Sequence, residues 1–233
     1  MANRSSWVAL LAAAALVAPA ASYAQLNLQQ FGFGGGSAQP AANGAAQPSA
    51  LTSLVQNYLG ANQQVLSGQS SLASSMGMTG VASQAQSAAG MLAGAAGGSG
   101  ALPSASVLSQ LGGTQQSVSQ SLMQAFTNGS STPAPTGVNK QAFTDGLASL
   151  GKGVSQYAGL QSDLGAVSNT MSMSSLLQAG SNPATAQAAS YIAQSAPGQL
   201  QSLVSTLTQA VQYAKTNGIS VPTVATSALN GVR

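Results

Sequence analysis

The stretch LTSLVQNYLGANQQVLSGQSSLASSM, residues 51–76, decides the fold class. Eight of its larger apolar side chains are Leu51, Leu54, Val55, Tyr58, Val65, Leu66, Leu72 and Met76. They fall on one stripe at helical spacings of three and four, where a strand would alternate with period two. The polar positions between them are Gln, Ser, Asn and Thr, and none carries a charge. The stretch predicts an amphipathic helix whose outer face is polar yet neutral.

The same period recurs further along the chain. Val81 to Ala96 is Ala-rich, with Ala88, Met91, Leu92 and Ala95 aligned. It also holds Gly90 and Gly94 at small-xxx-small spacing, which predicts a close helix contact. After Pro103 and Ser104, a stripe of Val107, Leu108, Leu111, Val118, Leu122 and Phe126 ends at Asn128-Gly129, a helix-stop signal. Beyond Pro133 and Pro135, the residues Phe143, Leu147, Leu150, Val154, Tyr157, Leu164, Val167 and Met171 mark a long helix. Ala184 to Ala196 predicts a short one. Gln199 to Thr216 predicts another, with Leu200, Leu203, Val204, Leu207, Val211 and Ala214 on one face and Asn217-Gly218 at its end. The expected fold is all-α, a bundle of about six helices.

The two halves share an order of features. Ala50-Leu51-Thr52 opens one and Ala142-Phe143-Thr144 the other; Met76-Gly77-Met78 is matched by Met171-Ser172-Met173. Both close on Thr-Asn-Gly-x-Ser-x-Pro, at Thr127 and at Thr216. This predicts a duplicated three-helix unit, 50–129 and 142–218, joined by a linker over 130–141 and followed by a tail over 219–233.

The N-terminal residues read as an export signal. Arg4 precedes the apolar run Val8 to Val17, Pro19 breaks it, and Ser22-Tyr23-Ala24 places small residues at the cleavage positions before Gln25. The run is too short for a permanent membrane helix, and no later segment is apolar enough to span one. Residues 1–24 are therefore expected to be removed, leaving a protein of the periplasm, cell surface or medium. Residues 25–49, with Phe31-Gly32-Phe33-Gly34-Gly35-Gly36, Pro40 and Pro48, have linker composition and predict a flexible arm.

Composition then removes function classes. The whole chain has five basic and two acidic side chains, with no His and no Cys. From Leu26 to Asn139 there is no Asp, Glu, Lys, Arg or His. Nucleic-acid binding needs clustered Lys and Arg, which are absent. A conventional zinc site lacks its ligands, and a disulfide framework its cysteines. About 200 residues after the signal suffice for a packed core.

Two motifs resemble catalytic ones and fail on context. Gly146 to Gly153 has the G-x-x-x-x-G-K spacing of a phosphate loop, but Gly153 replaces the Ser or Thr that holds magnesium, and the segment lies inside a helical stripe. Ser149-Leu150-Gly151-Lys152 matches S-x-x-K without the companion sequences of serine acyl enzymes. Asp145 and Asp163, the only acidic residues, lie about 27 Å apart along one helix, too far to share a substrate. No catalytic residue and no cofactor are expected.

The expected function is structural. Faces of Gln, Ser, Thr, Asn and Ala pack on copies of themselves without stripping water from ions, so a homo-oligomer, filament or matrix component is predicted, with Phe31 and Phe33 available to link neighbours. One alternative is a carrier of a hydrophobic small molecule, held between the halves. The other is a Cu(I) site of soft thioethers from Met76, Met78, Met171 and Met173, against which stands the ordinary use of Met as a core gap-filler.

Overall fold

Six helices and no strand form the described part of the chain, residues 50–97, 102–128, 137–170 and 183–232 of a computed structural model. They are α1 (Ala50–Ser75), α2 (Thr79–Gly97), α3 (Ala105–Thr127), α4 (Gly137–Thr170), α5 (Pro183–Thr216) and α6 (Thr223–Gly231). The all-α, six-helix expectation holds. Residues 1–49, which include the expected signal and arm, lie outside the described residues.

The apolar stripes set the packing. From α1, Leu51, Leu54, Val55, Tyr58, Val65, Leu66, Leu72 and Met76 are all buried. They meet Phe143, Leu147, Leu150, Val154 and Tyr157 of α4, Leu108, Leu111, Val118 and Leu122 of α3, and Leu200, Leu203 and Leu207 of α5 in one core. α1 lies against α4 in the most extensive contact of the fold, and α3 against α5. Contacts α1–α3 and α4–α5 close a four-helix layer; α2 covers its α1–α3 edge and α6 its α4–α5 edge.

Direction follows from which residues meet. Val65 and Leu72 of α1 stand by Gly153 and Gly146 of α4, so these helices are antiparallel. Gly112 of α3 approaches Gln199 of α5, and Phe126 approaches Tyr213, so those two run parallel.

The α1–α4 contact is close because glycine allows it. A Cβ added at Gly68 would stand 2.6 Å from the backbone nitrogen of Leu150, and one at Gly146 would stand 3.0 Å from the carbonyl oxygen of Gly68. A Cβ at Gly151 would likewise stand 2.8 Å from Cα of Ala225 in α6. The contact expected at Gly90 and Gly94 is not made among the described residues: none lies within 4 Å of a Cβ at either position. Met91 and Val107, aligned with the stripes of α2 and α3, are likewise exposed, at 47% and 36%. They lie at the margin of each stripe, where no other helix of the described residues covers them.

Two helix ends are closed by glycine in the left-handed region. Gly77 (φ 75°) follows α1, with Met78 N–H donating to Ala73 O at 2.8 Å and Gly77 N–H to Ser74 O at 3.0 Å. Gly218 (φ 62°) follows α5 with the same pair of bonds, Ile219 N–H to Ala214 O and Gly218 N–H to Lys215 O. This is the Schellman arrangement, and it takes an apolar residue just beyond the glycine, here Met78 and Ile219.

The second half departs from the helix boundaries expected for it. α4 begins at Gly137, inside the stretch 130–141 read as a linker. The break expected at Pro197-Gly198 does not occur, and α5 runs through both residues. Its buried positions Ala188, Ile192, Ala196, Leu200, Leu203 and Leu207 stay in phase across the proline. Pro197 and Gly198 face solvent, and packing on both sides compensates for the hydrogen bond that proline removes. Residues 223–231, within the expected tail, form α6.

Candidate functional site

The most unusual feature inside this core is a group of uncharged polar side chains. Tyr58 of α1 and Tyr157 of α4 are buried with ring centroids 5.7 Å apart, edge to face. The Tyr58 hydroxyl donates to Oε1 of Gln199 in α5 at 2.9 Å, and the Tyr157 hydroxyl lies 2.9 Å from the same oxygen. Oε1 of Gln115 in α3 is 3.3 Å from the Tyr157 hydroxyl. Nearby, Gln69 Nε2 donates to Ser119 Oγ at 2.7 Å, and Asn62 Nδ2 to the Tyr58 carbonyl at 2.9 Å. Gly112 makes room: a Cβ there would stand 2.5 Å from Gln199 Nε2 and 2.6 Å from the Tyr191 hydroxyl. Oδ1 of Asn62 and Oε1 of Gln69 are buried without a protein hydrogen-bond partner.

Each stripe supplied a signal for these positions that composition hid. Gln69 stands four residues after Val65 and three before Leu72; Gln115 stands four after Leu111 and three before Val118. A polar residue in the buried phase of a helix marks an internal partner. Gln is so common in this chain that neither position stands out by type.

The group's chemistry is that of neutral donors and acceptors. Burial raises the pKa of Tyr58, with Tyr191 adding to the rise and the Gln199 hydrogen bond opposing it. Burial raises Tyr157 well above the ordinary tyrosine value, with Tyr58 next in effect. At neutral pH both hydroxyls keep their protons. The cluster therefore offers hydrogen bonds and no base, nucleophile or charge.

The residues singled out from the sequence fall as follows. Met76 is buried in the core and Met78 is part-buried beyond Gly77, so this pair seals the end of α1. Met171 and Met173 lie outside the described residues, as do Phe31 and Phe33. The phosphate-loop-like segment is the middle of α4. There Gly151 and Gly153 let α6 and α1 approach, while Lys152 points to solvent. Asp145 and Asp163 are exposed on the same helix; one accepts from Gln141 Nε2 at 2.9 Å, the other from Asn57 Nδ2 at 3.3 Å. No group of three or more His, Cys, Asp or Glu that could hold a metal occurs among the described residues.

Two features of the surface remain. A hollow of about 320 Å³ is open to solvent at the end of α3, lined by Gln120, Met123, Gln124, Thr127 and Asn128. The charged side chains of the described residues are confined to α4 (Lys140, Asp145, Lys152, Asp163) and α5 (Lys215); α1, α2, α3 and α6 carry none. No helix among the described residues is long and apolar enough to cross a membrane. Comparison with protein-family models, with curated proteins and with solved structures finds no match to this chain.

Proposed function

We propose that this is an exported, non-enzymatic structural protein that associates with copies of itself through uncharged helix faces. The observation that carries the reading is the confinement of charge, among the described residues, to α4 and α5. The exposed positions of α2 and α3 are Gln, Ser, Thr, Gly and Ala with Met91 and Val107, a surface that can be covered without desolvating an ion. Export rests on the order Arg4, apolar run, Ser22-Tyr23-Ala24.

A core whose polar members are neutral at physiological pH supports the non-enzymatic part of the reading. Light scattering coupled to size-exclusion chromatography, on the chain beginning at Gln25 and across a concentration series, tests the proposal. Masses above the monomer that grow with concentration are expected. A strict monomer at high micromolar concentration in physiological salt would sink it.

A further inference from the structure

We infer that the self-association proposed above is closed rather than open-ended: two copies meet through the same flank, the one formed by α2 and α3. The inference rests on that self-association reading and gives it a face and a symmetry.

The four-helix layer has four edges, and charge distinguishes them. The edges α1–α4, α4–α5 and α3–α5 each include a helix with charged side chains. Only the α1–α3 edge, covered by α2, does not. A head-to-tail contact must join this flank to a different one, and the other edges carry the four charged side chains of α4 or, at the end of α5, Lys215. Covering those groups without partners is unfavourable. Joining the charge-free flank to its own copy covers no ion, and a contact of like with like closes as a two-fold dimer.

Size requires the whole flank. α2 and α3, of 19 and 23 residues, are about 28 and 35 Å long at the α-helical rise. Side by side at about 10 Å, they offer roughly 600 Å² of flat area, more with the relief of side chains. A stable interface takes about 800 Å² from each partner, so both helices are needed and α2 alone is too small. The exposed large hydrophobic side chains of the described residues, Met91 and Val107, both stand on this flank.

The test is sedimentation velocity on the full chain as purified, its N-terminus read by mass spectrometry, across a concentration series. Two pairs of exposed positions receive the same added charge. Ser87→Lys with Ser117→Lys places lysines on α2 and α3; Ser155→Lys with Ser227→Lys places them on α4 and α6. Two-fold symmetry sets each flank lysine against the partner's flank, so the first pair is expected to weaken the dimer at least about tenfold. The second pair should leave it unchanged. Circular dichroism checks that the variants fold, and Ser117→Lys alone replaces the flank pair if that pair does not. Growth beyond two copies, or equal effects of the two pairs, overturns the closed dimer while leaving self-association standing. A wild-type monomer at every concentration removes both.

Discussion

Gly60 and Gly68 lie in the same helix two turns apart, and replacing each with alanine should have opposite effects. Alanine favours a helix over glycine by about 0.5–1 kcal/mol, chiefly by restricting the unfolded chain. At Gly60 nothing lies within 4 Å of the new Cβ, so that gain stands alone. At Gly68 the Cβ would meet Leu150 N at 2.6 Å, Gly146 O at 2.9 Å and Leu150 Cα at 3.0 Å. All three are backbone atoms, so α1 and α4 must separate by roughly 0.8 Å to reach ordinary contact at 3.4 Å. Overpacking costs about 1–3 kcal/mol, and an immovable backbone obstacle places this site near the upper end. Subtracting the helix gain leaves a net loss of about 2 kcal/mol at Gly68. For a chain of this size each kcal/mol moves the melting temperature by about 2–4 °C. Gly60→Ala should therefore raise Tm by about 1–4 °C and Gly68→Ala should lower it by about 4–8 °C. Far-ultraviolet circular dichroism melts, paired with urea titrations at constant m value, read both. Shifts of the same sign would refute the assignment of Gly68 to the α1–α4 contact.

Other outcomes follow from the core. Tyr157→Phe and Tyr58→Phe should each cost about 1–2 kcal/mol in urea titrations. The double variant should cost more than their sum, because only then does Gln199 Oε1 lose both donors. Phe143→Ala removes a ring stacked on Tyr213 at 5.5 Å and in contact with Phe126, and should cost about 3–5 kcal/mol in the same assay. High pH should destabilise the protein. Tyr58 and Tyr157 have folded pKa values above the ordinary tyrosine value of 10.0, so above that pH the unfolded chain releases protons that the folded chain keeps. Stability should be unaffected by these groups below about pH 10, then fall by about 1.4 kcal/mol per pH unit for each tyrosine held protonated. Denaturant midpoints across alkaline pH, compared with those of Tyr157→Phe, check the sign.

What the sequence conveys here is periodicity, and periodicity locates faces better than neighbours. Leu54, Val65, Leu147 and Leu203 announce their burial because each helix buries a single stripe. The margins of a stripe are not announced: Met91 and Val107 are in phase and still exposed, since no helix of the described residues covers them. Glycine spacing is equally mute, as Gly90 and Gly94 face open space while Gly68 and Gly146 carry the closest crossing. Pro197 misleads for a different reason. Its local cost is real, and a stripe that stays in phase on both sides outweighs it. The Tyr–Gln cluster is assembled from four helices, so each member reads alone as a polar residue in a polar-rich chain.

That cluster bears on how the bundle avoids misalignment. A core of Leu, Val and Ala repeating every three or four residues is nearly degenerate, and one helix could slide along another by a turn while still burying a similar stripe. Slippage of α5 by one turn would carry Gln199 about 5.4 Å from its position, leave the Tyr58 hydroxyl without its acceptor and leave Tyr157 only the longer contact to Gln115. The misaligned state then loses hydrogen bonds that no repeat of the apolar pattern can restore. The two tyrosines and their glutamine thus work as a key, admitting one alignment among several that the hydrophobic effect alone would tolerate.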